Sequence, residues 1–329
     1  MTPRNRRDFI KRGLIQSVVL FVLFIFLLSA CGLKNNDPPV ELPKTYFVAP
    51  PALGGSDQQA GTEVAPFSTM THALSVAKAG DTIQIAAGTY QSGETFPLRI
   101  KPGIILMGVP HSATPVTILQ GNGPYVSPNP TVGSIQAAII IEEGASISNL
   151  AVRSGGEVGL LAEGVRAEVK SSEFSNNRIG LLVIGSGMNI SANAVNANKI
   201  GIQVLAGDAS RFERNNITNN NASPGVGVEI TDAGPIFRQN RVISNQGGGI
   251  VVHGTATPDL GEQGINGGFN TLICNDAGDL IHYGSELVKA RNNLWDHVFP
   301  DLYNIDALKK GTGEIDAEGA DFAISRCTQ

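Results

Sequence analysis

Asn193-Ala194-Val195-Asn196-Ala197-Asn198 is followed by Asn215-Asn216-Ile217-Thr218-Asn219-Asn220, and then by Asn240-Arg241-Val242-Ile243-Ser244-Asn245. In each segment an Asn stands two residues before an apolar residue, and another stands three residues after it. Asn270 before Leu272 with Asn275, and Asn292 before Leu294, continue the pattern; Phe174 with Asn177 begins it one step earlier. The anchors Phe174, Val195, Ile217, Val242, Leu272 and Leu294 lie 21, 22, 25, 30 and 22 residues apart. A repeat of this length, rich in Asn, Gly and β-branched residues, predicts a solenoid of stacked turns.

The segments between the anchors read as short strands: Gly180-Leu181-Leu182-Val183, Gly201-Ile202-Gln203-Val204, Gly227-Val228-Glu229-Ile230 and Gly249-Ile250-Val251-Val252. Alternation sends Ile202, Val204, Val228 and Ile230 inward and Gln203 and Glu229 outward. Coils stacked about 4.8 Å apart, roughly eight of them, predict a rod about 40 Å long. The Asn residues fall at the bends. There they tolerate a left-handed backbone, and their amides can bond to their copies above and below. Residues 121–134, with Pro124, Pro128 and Pro130, and residues 254–268 break the period and are expected as loops on the flank of the rod. Residues 299–329 no longer repeat and read as a C-terminal cap or tail, leaving 45–298 for the solenoid.

Residues 1–30 stand apart from the fold. Arg4, Arg6, Arg7, Lys11 and Arg12 form a basic head, and 18–28 is an unbroken apolar run of eleven. That is shorter than the roughly 20 residues a membrane span needs, and it matches a signal peptide. Leu28-Ser29-Ala30-Cys31 resembles the lipobox of bacterial lipoproteins, which implies cleavage before Cys31 and a diacylglycerol on its sulfur. Asn5-Arg6-Arg7-Asp8-Phe9-Ile10-Lys11 also resembles a twin-arginine export signal. Residues 31–44, with Pro38, Pro39 and Pro43, read as an extended tether. Together these place the domain in the cell envelope, exported and lipid-anchored, at the outer membrane or the outer face of the cytoplasmic membrane.

Removing five basic residues and Asp8 takes the net charge from −5 to −9, which argues against a nucleic-acid partner. The acidity is uneven. From Thr257 onward there are twelve Asp or Glu against five Lys or Arg, whereas 166–241 holds eight bases against six acids. Cys274 and Cys327 either pair in an oxidising compartment, stapling the tail to the rod, or remain two buried thiols.

Before the repeats, Met70, Ala73, Leu74 and Ala77 follow the spacing of a one-sided helix over 69–78. Its expected place is over the open end of the solenoid, where it would cover unpaired backbone and core. Tyr46-Phe47-Val48-Ala49-Pro50, Gly61-Thr62, Pro66-Phe67, Ala73-Leu74, Ala77, Gly80-Asp81-Thr82-Ile83 and Gly88-Thr89-Tyr90 resemble the head of right-handed parallel β-helix proteins related to pectate lyases. Glu94-Thr95-Phe96-Pro97-Leu98 and Lys101-Pro102-Gly103 are similar to a bacterial family of unassigned function. The resemblance covers roughly residues 45–150 in detail. It implies an all-β right-handed parallel β-helix with a short N-terminal capping helix, and a link to polysaccharides.

Candidate chemistry is sparse. His253 and His282 fall on adjacent coils when 249–253 is aligned with 278–282, close enough to share a metal or act as acid and base. A shift of one residue instead turns His282 inward and sets Tyr283 beside His253. By resemblance, a lyase would need a Lys or Arg base and calcium held by clustered Asp residues. Arg178 and Lys199 share a repeat position and offer bases, but Asp208, Glu229 and Asp232 are thinly spread. The leading expectation is therefore a monomeric, lipid-anchored protein that binds a polysaccharide or envelope glycan without a cofactor. A polysaccharide lyase or hydrolase, with calcium in the lyase case, and a structural or adhesion rod that binds another protein are the alternatives.

Overall fold

The structure, a computed structural model, describes residues 41–110, 116–153, 155, 157–262, 264–298, 301–322 and 327. The expected signal peptide, the lipobox and Cys31 lie outside the described residues. The chain divides into units of Met1–Leu42 and Pro43–Gln329, and the solenoid is built within the second. Among the described residues no helix is long and apolar enough to cross a membrane.

Through most of the rod each coil contributes one strand to each of three parallel sheets, in the order first, second, third. The first sheet runs from Thr45–Val48 to Ile236–Arg238, the second from Gly88–Tyr90 to Asp321–Phe322, and the third from Leu98–Ile100 to Ala307–Lys309. The second sheet holds ten strands, so the rod has more turns than the expected eight and is about 45 Å long. In three-residue strands such as Asn189–Ser191 only the middle side chain is buried, because a strand sends alternate residues to opposite faces. Stacking turns these middle residues into columns. Val169, Ile190, Phe212 and Phe237 line the first sheet; Phe174, Val195, Ile217, Val242 and Leu272 line the second. All are at most 1% exposed and belong to one continuous core. The Phe212 and Phe237 rings lie 4.6 Å apart at 8°.

The anchors pair in register: Phe174 with Val195, then Ile217, Val242 and Leu272. The last step departs from expectation. Leu272 pairs with Trp295, not Leu294, so the ladder residue of that coil is Asn293 rather than Asn292. Trp295 is fully buried, and its larger apolar surface decides the register.

Two amide ladders flank the second sheet. In one, the Oδ1 atoms of Asn198, Asn220 and Asn245 each accept from both the backbone N–H and the Nδ2 of the Asn one coil earlier, at 2.9–3.1 Å. Each Nδ2 also donates to a backbone carbonyl of the coil before, as Asn220 does to Val195 O at 3.1 Å. The other ladder joins Asn193, Asn215, Asn240, Asn270 and Asn293 in the same way. Every rung but Asn275, at 7% exposure, is at most 4% exposed. The left-handed backbone, however, falls on the residue before each rung: Ala192 (φ 55°), Arg214 (54°) and Gln239 (57°) at one corner, Ala197 (53°), Asn219 (54°) and Ser244 (55°) at the other. The Asn is selected for its amide, not for its tolerance of positive φ.

A column of close backbone approaches accompanies the first ladder. A Cβ on Gly201 would stand 2.5 Å from Gly227 O and 2.9 Å from Asn220 Nδ2, and Gly180, Gly227 and Gly249 are confined in the same way. Ile250 pairs with Leu280, which puts Asp279 next in this column. Asp279 can carry a side chain because the next coil has Val298, not an Asn, at the position of this ladder. Its Oδ1 instead accepts from Asn275 N (3.2 Å) and Nδ2 (2.6 Å), terminating the ladder.

The helix α1, Met70–Val76, is shorter than the expected 69–78 and starts from Thr69, whose hydroxyl accepts from His72 N. It packs on the first strands of the first and third sheets, capping the N-terminal end. Glu94 binds its free amides, accepting from Met70 N and Thr71 N at 2.8 Å each. The Glu94 segment that resembles the uncharacterised family is thus a structural clamp.

The two insertions are more ordered than flank loops. Residues 254–268 contain that coil's crossing of the first sheet, since Asp259 bridges Ile236 and Lys289. Residues 121–134 form a hairpin, with Gly123–Val126 antiparallel to Ser134–Ile141. Ser127 Oγ (2.7 Å) and Asn129 N (3.2 Å) donate to Glu163 at the far end of the neighbouring strand, Val158–Glu163. The hairpin tip therefore straps across the outer face of the third sheet. Tyr125, Val132 and Ile135 pack there on an apolar patch that includes Ile140, Leu161 and Leu182. Finally, the solenoid passes the expected boundary at 298. Ala307–Lys309, Ile315–Asp316 and Asp321–Phe322 pair with the coil before them, so the presumed tail is built largely of a further turn.

Candidate functional site

Beyond the strap, the outer face of the third sheet turns polar. Gln203 pairs with Glu229 and Thr231 with His253, and the register then sets Tyr283 beside His253. Gln203 Nε2 donates to Glu229 Oε2 at 2.7 Å. The other oxygen of Glu229 stands 3.7 Å from His253 Nε2. The imidazole and the Tyr283 phenol lie parallel, 5.2 Å apart at 3°. Tyr283 is 51% exposed, while His253 and Glu229 are half-buried. Four side chains from four successive coils thus make one continuous strip of amide, carboxylate, imidazole and phenol. Their backbones are locked into the sheet, so the strip is preorganised.

The paired-histidine arrangement is corrected by this register. His282 pairs with Val252 and points inward, fully buried. Its Nε2 lies 2.7 Å from Glu286 O, and its Nδ1 accepts from Gly284 N at 3.3 Å. Both ring nitrogens are satisfied by one neutral tautomer, which makes His282 a core residue. The one-residue shift follows from Asp279 filling the glycine column.

Arg178 and Lys199 do occupy equivalent positions, each just before a paired strand of the third sheet. Both are exposed. Arg178 Nε holds Glu157 Oε2 at 3.1 Å, as a surface ion pair. Six residues of strand separate Lys199 from the column of His253, roughly 20 Å, so these bases and the imidazole share no reaction centre. Asp232 accepts from Thr255 N (2.8 Å) and Thr255 Oγ1 (3.0 Å) across a corner. The Thr255 N–H, and then its hydroxyl, hold the Asp232 carboxyl below its ordinary range. It ties two coils together.

Asp208, which the sequence offered as a scattered acid, is fully buried. Its carboxylate accepts from Ser186 N (2.8 Å) and Ser210 N (2.7 Å). Burial raises its pKa, against the lowering effect of those hydrogen bonds. It too is structural. Cys274 and Cys327 are joined in a disulfide with Cα atoms 5.4 Å apart. Two residues passed over by sequence reasoning, His297 and Asp306, are hydrogen-bonded at 2.7 Å. They stand nine residues apart in an irregular corner, where no periodicity marks them.

Residues 53–302 match the model of a family described as a protein of unknown function, DUF1565. The chain belongs to the DUF1565 family. Among curated proteins nothing matches it. Among solved structures, this DUF1565 chain is similar to pectate lyase Pel9A, at 14% identity over 88% of this chain and 82% of that one, with a TM-score of 0.53. That likeness identifies the fold as the pectate-lyase-like parallel β-helix. More distant are the pectin methylesterase from Aspergillus niger (14% identity, 89% of each chain, TM-score 0.44) and the GH136 lacto-N-biosidase from Eubacterium ramulus (10%, 86% and 68%, 0.45).

Proposed function

We propose that this DUF1565 chain is a lipid-anchored β-helix of the cell envelope that binds a glycan along the outer face of its third sheet. The strip Gln203–Glu229–His253–Tyr283 carries the reading. A half-exposed aromatic ring offers a face to the C–H side of a sugar, while planar amide and carboxylate groups match adjacent hydroxyls. The pectate lyase that shares the fold adds only background, since one fold hosts many activities. The strip presents a carboxylate, and Arg178 and Lys199 lie at the opposite end of the strands. The ligand is therefore a neutral glycan rather than a polyuronate. With Lys199 six strand residues, roughly 20 Å, from the column of His253, this face supports binding rather than lyase chemistry.

A glycan array probed with the full mature chain is expected to show binding without turnover. Tyr283→Ala should weaken that binding about tenfold, or roughly 1.4 kcal/mol, and Glu229→Gln should weaken it less. Arg178→Ala should leave it unchanged. Silence on every neutral glycan, or equal loss in the Arg178 variant, removes the reading. For the anchor, Cys31→Ser is expected to move the protein from the membrane fraction to the soluble one and to abolish the mass of a diacylglycerol on the mature N-terminus. Retention in the membrane would refute lipidation.

A further inference from the structure

The corner between the second and third sheets is short in the middle coils, spanning only 197–199 in one of them. In the last coils it widens to run from Trp295 to Ala307 and contains the π-turn Leu302–Asp306. Between this enlarged corner and the one before it lies a cavity of about 880 Å³. Asp276, Asp296, His297 and Asp306 line it, beside the Cys274–Cys327 disulfide. Among the described residues, its lining contains no Lys or Arg.

We propose that this cavity is a site for a divalent transition-metal ion, zinc foremost, held by Asp296, His297 and Asp306. Ligand atoms of the three side chains lie within 4.8 Å of one another. A zinc ion bonded at about 2.0–2.1 Å would set its ligands roughly 3.4 Å apart, so small side-chain rotations suffice. Each group is already positioned. Asp306 is buried and accepts from His297 N (2.9 Å), with its other oxygen 2.7 Å from His297 Nδ1. Asp296 accepts from Cys274 N at 2.5 Å, which ties it to the disulfide-bonded corner.

A second observation points to a cation independently. Asp279 lies behind the cavity residues Asn275 and Gly278 and is 1% exposed. One carboxylate oxygen is taken up by Asn275, but Oδ2 is buried and, among the described residues, has no hydrogen-bond partner. The charges acting on it are the carboxylates of Asp296 and Asp306. Several carboxyl groups thus converge with one imidazole on a space that a positive ion would neutralise. One imidazole nitrogen among carboxylate oxygens suits zinc or manganese. Calcium, by contrast, takes six to eight oxygens.

Zinc chloride added to the metal-stripped full mature chain, without reductant so that no thiols are released to bind zinc, provides the test. Equilibrium dialysis with elemental analysis is expected to find one zinc per chain, and saturation should raise the unfolding midpoint by roughly 5 °C. His297→Gln, which keeps a side chain able to bond Asp306 but removes the ring nitrogens, should lose both effects. His253→Gln, on the glycan strip, should keep both and serves as the control for surface histidines. No stoichiometric zinc on the wild type, or equal zinc on His297→Gln, overturns the site. None of these readouts depends on glycan binding.

Discussion

Asn220→Ala is expected to destabilise the solenoid by about 3–5 kcal/mol, the range reached when several buried polar groups lose their partners together. The loss falls on both neighbouring coils. Without Oδ1, the Asn198 N–H loses its acceptor and its Nδ2 keeps only Phe174 O; without Nδ2, Val195 O and Asn245 Oδ1 each lose a donor. All three ladder residues are fully buried, so water does not replace those bonds. Asn220→Asp should be no milder. It keeps the acceptor toward Asn198, but it sets a carboxylate oxygen against Asn245 Oδ1 in a site closed to solvent. The neighbouring Asn221 is exposed, and Asn221→Ala should change stability by no more than about 0.5 kcal/mol. Urea unfolding of the three variants makes the comparison. A loss below about 1 kcal/mol for Asn220→Ala would mean that the ladder is incidental to stability.

Gly201→Ala should cost about 2–3 kcal/mol, as overpacking of a rigid interior does. The added methyl would meet Gly227 O at 2.5 Å and Asn220 Nδ2 at 2.9 Å. Neither can retreat, because the first belongs to a paired strand and the second to the ladder. The effect should be coupled to that of Asn220. In the Asn220→Ala background the amide is gone, and the penalty of Gly201→Ala should shrink by a measurable part of its value. Equal penalties in the two backgrounds would show that the carbonyl contact alone carries the strain.

The ladder was legible in the sequence because each rung obeys a strict offset from an apolar anchor, and the anchors recur once per turn. Periodicity failed where it was overloaded or absent. Asn292-Asn293 followed by Leu294-Trp295 offers two registers of equal quality, and only the volume of the indole selects between them. The His282 alignment was ambiguous for a related reason. Gly278 looks like the strand-opening glycine, but Asp279 holds that position, and its role depends on the absence of an Asn in the next coil. The final turn escaped notice because two of its three strands shrink to two residues and its corner swells. The strap over the third sheet was hidden because its anchor, Glu163, lies far along the chain from Ser127.

For the candidate strip, outward parity marked Gln203 and Glu229. His253 and Tyr283 were visible as one of two alignments. The basic candidates were placed correctly on the repeat; Arg178 is paired with Glu157, and six strand residues separate Lys199 from the column of His253. His297 and Asp306 had no sequence signal at all. They meet through an irregular turn whose path depends on side-chain packing.

The ladder also has a direction. Each rung offers its backbone N–H and one amide hydrogen to the rung that comes later in the chain, and Asp279 is where the first series stops. A polypeptide emerging amino end first, from a ribosome or a translocation channel, would therefore carry one unsealed edge at its newest coil. Each arriving turn closes the previous edge and opens its own. Asp279 ends that relay with a carboxylate, so the turn that stacks on its coil is joined through the strands without another amide rung of this ladder.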